Sequence, residues 1–176
     1  MIDGVVLSRA QLKRYKHVDM TDLERQLQKA DPDKLKIIAT ESVFSMDGDV
    51  APLTQLIDLK KRYNALLIVD EAHATGVFGP LGQGLVAAQN LTKDVDIQIG
   101  TCSKALGSFG AYLVGDAWLV NYLKQTMRSL IFTTALPPAV LGSIIQSIEI
   151  VQTADERRLA LSEKAAHFRE SIQEAG

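Results

Sequence analysis

Four short apolar runs along the chain predict the strands of a sheet. Residues 65–69 are continuously apolar, which is typical of a parallel strand that is covered on both faces. Residues 36–40 form a similar short run, and residues 95–101 and 111–114 complete the set. Helical patterns lie between and after these runs. This alternation favours an α/β fold with a mainly parallel sheet flanked by helices.

Apolar positions at helical spacing predict the helices of the chain. Thr21 and Glu24 form a capping-box pattern at the start of the first helix. Pro52 suits the first turn of the next one, because its fixed backbone angle matches a helix start. Helices are expected over residues 21–30, 52–64 and 117–127, and over most of the chain after Pro137. In that last region one apolar stripe is formed by Leu161, Ala165, Phe168 and Ile172.

Polar residues follow three of the predicted strands directly. They lie at positions 41–45, 70–73 and 101–104. In open sheets with parallel strands, ligands bind beyond the carboxyl ends of the strands. The sequence therefore predicts that Asp70, His73 and Lys104 converge at one edge of the sheet.

Composition and charge exclude several classes of function. The 176 residues carry a net charge of -2 and are 47% hydrophobic, which is ordinary for a soluble globular protein. A weakly acidic chain offers no electrostatic basis for binding nucleic acid or an anionic membrane surface. No apolar run is long enough to cross a bilayer. Cys102 is the single cysteine, so no intrachain disulfide can form, and a reducing, cytoplasmic location is expected.

Asp70 and His73 have two interpretations. An aspartate at a strand end commonly caps the following turn, and a lone histidine is more often structural than catalytic. Alternatively, a carboxylate held in a low-dielectric site can pair with a cationic group of a ligand. His73, three residues further on, could then donate a hydrogen bond into the same cavity.

Lys104 also follows a predicted strand, in the segment Gly100-Thr101-Cys102-Ser103-Lys104. Most lysines are solvated surface charges. This one is flanked by small residues and preceded by an apolar strand, which predicts a partly desolvated side chain. Desolvation favours the neutral amine, and a neutral lysine can form a Schiff base with a carbonyl group.

Other polar or glycine-rich features carry less information. The loop at residues 79–84 lacks the glycine spacing of the P-loop and of the dinucleotide-binding fingerprint, so a turn is expected there. Cys102 has no paired histidine nearby and is expected to be buried. His17 and His167 show no metal-ligand spacing, and no metal site is expected.

Taken together, four segments resemble the α-oxoamine synthases, which are pyridoxal-phosphate (PLP) enzymes of the aspartate-aminotransferase-like fold type I. In chain order the segments are Glu-Ser-Val-Phe-Ser-Met-Asp-Gly-Asp at 41–49, Val-Asp-Glu-Ala-His-Ala-Thr-Gly at 69–76, Thr-Cys-Ser-Lys-Ala-Leu-Gly at 101–107, and Phe-Thr-Thr-Ala-Leu-Pro-Pro at 132–138. Each is short, but four in the family's order are highly specific. The resemblance covers nearly the whole chain and implies the core of the large, PLP-binding domain.

The resemblance implies roles for the residues that match. Lys104 would hold PLP covalently, and Asp70 would pair with the ring nitrogen of the cofactor and keep it protonated. With His73, these residues form the expected catalytic set. The expected cofactor-binding set comprises Ser45, Asp70, His73, Thr101, Lys104, Thr133 and Thr134. Within it, Ser45 and His73 would lie near the phenolic oxygen, Thr101 would hold the phosphate, and Thr133 or Thr134 would reach a phosphate in the partner subunit of a homodimer.

The implied reaction is the decarboxylative condensation of an amino acid with an acyl thioester. The resemblance is strongest to the branch that joins L-alanine to a pimeloyl thioester in biotin synthesis. Glycine acetyltransferases, 5-aminolevulinate synthases and serine palmitoyltransferases share the same segments and remain alternatives. A catalytically inert fragment that serves as a structural or partner piece is a second hypothesis.

Family chains are considerably longer at both ends. The resemblance therefore implies that residues 1–176 form a partial large domain, without the family's N-terminal segment and its C-terminal small domain. Residues 137–176 would be the helical segment that leads toward that small domain.

Overall fold

The computed structural model describes residues 2–175, which form four strands and eight α-helices. The strands are β1 (Lys36–Glu41), β2 (Ala65–Asp70), β3 (Ile97–Thr101) and β4 (Ala111–Gly115). The helices are α1 (Ile2–Leu7), α2 (Met20–Gln28), α3 (Leu53–Tyr63), α4 (Leu85–Ala88), α5 (Ala117–Thr126), α6 (Arg128–Ile131), α7 (Pro138–Gln152) and α8 (Asp155–Ala175), with a 3-10 turn at Pro80–Gly82. The predicted strand and helix segments are confirmed to within a few residues at each end.

The strands form one sheet in the order β1-β2-β3-β4. β1 and β2 are parallel with Glu41 opposite Asp70, and β2 and β3 are parallel with Asp70 opposite Ile99. β4 runs antiparallel to β3, with Ala111 opposite Thr101. The mainly parallel α/β sheet is therefore confirmed. Because β1, β2 and β3 point the same way, the polar residues that follow them share one edge of the sheet.

The core lies between the first strands and α3. Leu56 of α3 and Leu67 of β2 are fully buried, and Val69 is buried beside them. Leu53, Leu56 and Ile57 recur at the spacing of one helix face, which is why α3 covers the sheet along its length. The helix ends where Asn64 adopts a left-handed conformation with φ of 47°, a role that asparagine tolerates better than most residues.

The start of α2 differs from the capping box expected at Thr21. Asp19 caps the helix instead, and its carboxylate accepts a hydrogen bond of 2.9 Å from the N–H of Asp22. Asp22 in turn accepts a hydrogen bond from the N–H of Lys16 and contacts Arg25. These hydrogen bonds lower the pKa of Asp22, with the one from Lys16 contributing most. The cap therefore lies two residues before Thr21, and Asp22 ties the preceding loop to the first turn.

The long helices α7 and α8 contain no buried residues. α7 approaches the 3-10 turn, where the Val151 side chain lies against Gly82. The predicted apolar stripe is helical, but Phe168 of α8 is 64% exposed and Ile145 of α7 is 60% exposed. No helix within residues 2–175 combines the length and the apolar character that a membrane crossing requires.

Candidate active site

His73 and Lys104 meet at the carboxyl edge of the sheet. His73 lies in the turn after β2, and Lys104 lies in the loop between β3 and β4. The Nζ atom of Lys104 is 2.8 Å from the Nε2 atom of His73, which is hydrogen-bonding distance. The structure therefore brings together two side chains that are 31 residues apart in the sequence.

Lys104 was expected to be partly desolvated, and in the structure of residues 2–175 this expectation is wrong. Its side chain is exposed, whereas His73 is half-buried. The loop that carries Lys104 joins the end of β3 to the start of β4, and no segment within residues 2–175 covers it. Small neighbours and a preceding apolar strand place a lysine at a sheet edge, but they do not bury it.

Asp70 ends β2 and is half-buried. Its Oδ1 atom accepts a hydrogen bond of 2.9 Å from the N–H of Ala72, and its carbonyl oxygen accepts one of 2.9 Å from the N–H of Ser42. Asp70 therefore does cap the following turn. Among the described residues no hydrogen bond reaches its Oδ2 atom, which leaves this oxygen to pair with a cationic group.

Thr101 and Ser45 lie on the same edge of the sheet. The Thr101 hydroxyl is 2.7 Å from the Ser103 hydroxyl and donates to the carbonyl oxygen of Gly110 at 3.1 Å. Ser45 is exposed in a tight turn after β1, and its N–H donates to the Glu41 carboxylate at 3.1 Å. These contacts place the hydroxyl groups of Thr101 and Ser103 and the N–H of Ser45 at this edge, each bonded within the protein.

Thr133 and Thr134 are exposed in the segment between α6 and α7. No hydrogen bond joins either of them to His73 or Lys104 in the described part of the chain. Leu136, two residues further on, lies against Gly110 of the lysine loop. The segment thus runs close to the loop, while its threonines remain apart from the His73–Lys104 pair.

Glu71 is a buried acid that the sequence reading did not single out. It is 2% exposed, and its Oε1 atom accepts a hydrogen bond of 3.4 Å from the N–H of Val86. Its Oε2 atom has no partner among the described residues. Burial raises the pKa of Glu71, and the nearby Ser42 hydroxyl and the N–H groups of residues 85 and 86 partly oppose that shift. The available signal was a second acid directly after Asp70, within the matching segment at 69–76.

Gly84 makes room for this carboxyl group. Its φ is +110°, and a Cβ atom there would lie 1.8 Å from the Oε2 atom of Glu71. The glycine-rich loop is a turn, as expected, and its Gly84 packs against the buried acid.

Tyr112 and Thr75 form a second contact that sequence reading missed. The Tyr112 hydroxyl is 2.8 Å from the Thr75 hydroxyl, and Thr75 is 8% exposed. The Tyr112 ring lies over Gly100, where a Cβ atom would be 2.1 Å from its Cζ atom. Burial is the main cause that raises the pKa of Tyr112. The sequence offered only a weak indication of this contact, because a tyrosine in a short strand can have many roles.

Cys102 is buried behind the lysine loop, as expected, and is 5% exposed. Its N–H donates to the carbonyl oxygen of Gly110 at 2.9 Å, and its own carbonyl oxygen accepts from the N–H of Ser108 at 2.8 Å. Burial raises the pKa of the Cys102 thiol.

His17 lies near two acids, although its spacing in the sequence suggested no metal site. Its Nε2 atom is 2.8 Å from Asp49 and 3.8 Å from Asp47. The ligand atoms of the three residues lie within 4.8 Å of one another, and all three residues are exposed. The His17 ring also contacts Phe44 edge-on, with ring centroids 4.4 Å apart.

The four-stranded, mainly parallel sheet with its flanking helices is the fold of the pyridoxal-phosphate enzymes of fold type I. The chain belongs to the aminotransferase class I and II family, whose sequence pattern matches residues 1–176.

Within that family the similarity is to α-oxoamine synthases. A Bacillus mycoides protein provisionally named an 8-amino-7-oxononanoate synthase is 53% identical over 177 residues, which cover 100% of this chain and 45% of that protein. The crystal structure of the Francisella tularensis 8-amino-7-oxononanoate synthase matches with a TM-score of 0.85 and 32% identity over 98% of this chain and 49% of that one.

A second similar structure contains PLP. A serine palmitoyltransferase from S. paucimobilis, in a complex that includes PLP, matches with a TM-score of 0.85 and 35% identity over 89% of this chain and 40% of that one. The chain thus spans about half the length of the proteins that it matches or less.

Proposed function

We propose that this chain carries the PLP-binding core of an α-oxoamine synthase. The proposed reaction joins L-alanine to a pimeloyl thioester, releases carbon dioxide and a thiol, and yields an amino ketone. The observation that carries the proposal is the contact of 2.8 Å between Lys104 and His73, on the sheet edge where Asp70 ends β2. The relative at 53% identity supports the same reaction class.

The residues at this edge fit PLP by their chemistry. The cofactor has an aldehyde, a pyridine nitrogen and a phosphate. Lys104 supplies an exposed primary amine for the aldehyde, and the unpartnered Oδ2 atom of Asp70 can pair with a protonated ring nitrogen. The hydroxyl groups of Thr101 and Ser103, which lie 2.7 Å apart, would exchange their mutual contact for the phosphate. Ser45 is assigned to the phenolic oxygen by the matching segment alone.

Each residue then has a separate task. When bound, PLP supplies a ring that withdraws electrons from the α-carbon of the amino acid. Asp70 keeps the ring nitrogen protonated, because a carboxylate stabilises a neighbouring cation. Lys104, once released from the cofactor, takes the proton from the α-carbon. His73 holds the Nζ atom of Lys104 through the hydrogen bond of 2.8 Å and so limits the directions that the amine can take.

A homodimer with PLP at the interface completes the proposal. Thr133 and Thr134 are exposed and lie on a segment that runs beside the lysine loop. The hydroxyl group of Thr133 or of Thr134 would reach a phosphate in the partner subunit. The exposed apolar side chains of α7 and α8 are consistent with association.

Borohydride trapping tests the assignment of Lys104. After incubation with PLP and reduction, peptide mapping should find the cofactor on Lys104, and Lys104→Ala should abolish this stable label. Lys60→Ala serves as the matched control and should leave the label in place, because Lys60 pairs with Asp96 elsewhere in the structure. Label spread over several surface lysines and unaffected by Lys104→Ala would refute the proposal.

A substrate comparison separates the branches of the family. With the whole protein, carbon dioxide release should require an amino acid and a thioester together, and alanine with a pimeloyl thioester should give the highest kcat/KM. The structural similarity to a serine palmitoyltransferase favours serine with a palmitoyl thioester as the second candidate. Preference for that pair would reassign the chain to the second branch and leave the cofactor assignment intact.

A further inference from the structure

The contact between His73 and Lys104 depends on how the turn after β2 is held against the loop after β3. The main chain ties the turn to β3, because the N–H of Glu71 donates to the carbonyl oxygen of Ile99 at 2.7 Å. The carbonyl oxygen of Glu71 accepts from the N–H of Thr75 at 2.8 Å and from the Thr75 hydroxyl at 3.0 Å. Thr75 therefore closes the short turn that carries His73.

Tyr112 reaches this turn from the other side of β3. It belongs to the edge strand β4, its ring crosses Gly100 of β3, and its hydroxyl group bonds to Thr75. One side chain thus spans β4, β3 and the turn after β2. Lys104 follows β3 by three residues, and His73 precedes Thr75 by two. Both residues therefore lie close in sequence to the segments that Tyr112 contacts.

Gly100 is the residue that permits the crossing. A Cβ atom at this position would lie 2.1 Å from the Cζ atom and 2.2 Å from the hydroxyl oxygen of Tyr112. With any other residue at position 100 the ring would have to move, and the hydroxyl would leave Thr75. The absence of a side chain at this position is therefore part of the same arrangement.

We propose that Tyr112 is a positioning residue of the proposed active site: through the Thr75 hydroxyl it sets the separation of His73 and Lys104. The inference rests on the proposed function for its significance, but the geometry does not involve the cofactor. Tyr112 does not touch the reacting atoms and acts only through the turn.

Nuclear magnetic resonance of the His73 ring tests this role without PLP and without turnover. The whole protein is labelled with 15N-histidine, and the His73 signals are assigned by their loss in His73→Gln. Lys104→Met then shows where the Nε2 signal lies when the amine is absent. Because no cofactor is added, failure of this test is distinguishable from failure of PLP trapping.

The expected result is a shift of the His73 Nε2 signal in Tyr112→Phe, in the direction defined by Lys104→Met. Thr75→Val should give a shift at least as large, because it removes the bond to Tyr112 and also the bond to the Glu71 carbonyl oxygen, and Thr75→Ser, which keeps the hydroxyl, should restore the original position. The double variant Tyr112→Phe with Thr75→Val should shift no further than Thr75→Val alone, because the bond that Tyr112→Phe removes is already absent there. Tyr122→Phe is the matched control and should leave the signal unmoved, since Tyr122 lies on α5.

Thermal unfolding of each variant establishes that it is folded, and the retained ring of Tyr112→Phe keeps the contact with Gly100. A folded Tyr112→Phe protein with an unmoved His73 signal would overturn the proposal. Additive shifts in the double variant would overturn it as well, because the two hydroxyl groups would then act separately.

Discussion

The strands with α3 and the C-terminal helices both carry apolar residues at regular spacing, but only the first region buries them. Leu56 and Leu67 are fully buried, whereas Ile145 and Phe168 are 60% and 64% exposed. Beyond Leu106, Leu119 is the only buried apolar side chain among residues 2–175. The comparison teaches that periodicity determines which element forms and which face is apolar. It does not determine whether residues 2–175 also contain the segment that packs against that apolar face.

The largest expected difference comes from truncating one side chain in each region. Leu67→Ala should lower the free energy of unfolding by about 3 kcal/mol, because it leaves a cavity in a packed core. Phe168→Ala should change it by less than about 0.5 kcal/mol, as expected for an exposed position. Urea unfolding measures both values. A cost for Phe168→Ala near that for Leu67→Ala would break the comparison and show that the stripe is covered in the assembled protein.

A pair of glycine substitutions should differ in sign. Gly84→Ala should destabilise the protein by about 2 kcal/mol, because its φ is positive and the new Cβ atom would collide with Glu71. Gly142 lies inside α7, and apart from its chain neighbours and the adjacent helix backbone no atom of residues 2–175 lies within 4 Å of the position that a Cβ atom would take. Gly142→Ala should therefore stabilise the helix by about 1 kcal/mol.

Thermal denaturation of the two glycine variants beside the parent protein provides the measurement. If Gly142→Ala were destabilising, another protein surface would have to approach α7 closely at this position. The result would then show where the apolar face of α7 is covered.

The smallest expected effect is the pH dependence contributed by Glu71. Burial raises its pKa above the ordinary value of 4.5, so the folded protein binds this proton more tightly than the unfolded chain does. The resulting stability is fully present below pH 4.5 and is lost as the pH rises through the folded value. Glu71→Gln should remove this part of the pH dependence.

Glu149→Gln, on the exposed helix α7, is the control and should retain the full pH dependence. Urea unfolding at pH 5 and at a pH about two units higher provides the measurement. An unchanged pH dependence in Glu71→Gln would show that the buried carboxyl does not titrate as described.

The sheet could be predicted from the sequence because its strands are short, apolar and separated by helical patterns. Residues 65–69 predicted β2 to within one residue, and the convergence of His73 and Lys104 followed from the common direction of β2 and β3. The catalytic and cofactor-binding roles of these residues remain predictions. The antiparallel direction of β4 was not predicted, because a short strand shows its faces but not its direction.

Features that depend on contacts between distant segments were out of reach of the sequence. Asp19 and Thr21 are both good capping residues, and the sequence alone does not distinguish between them. The crossing of Gly100 by Tyr112 requires the register of β3 and β4 to be known. Partial burial of Lys104 was expected from its small neighbours. The exposure of its side chain depends instead on whether another segment packs over the lysine loop.

The buried position of Cys102 makes the lysine loop easy to observe. Its thiol is 5% exposed, its pKa is raised by burial, and the chain has no other cysteine. Alkylating reagents attack the thiolate, so the closed loop should react slowly and each opening of the loop should expose the sulfur. The rate at which the Cys102 thiol is alkylated therefore measures how often the lysine loop opens. Because Cys102 lies two residues before Lys104, no cysteine has to be introduced for this measurement.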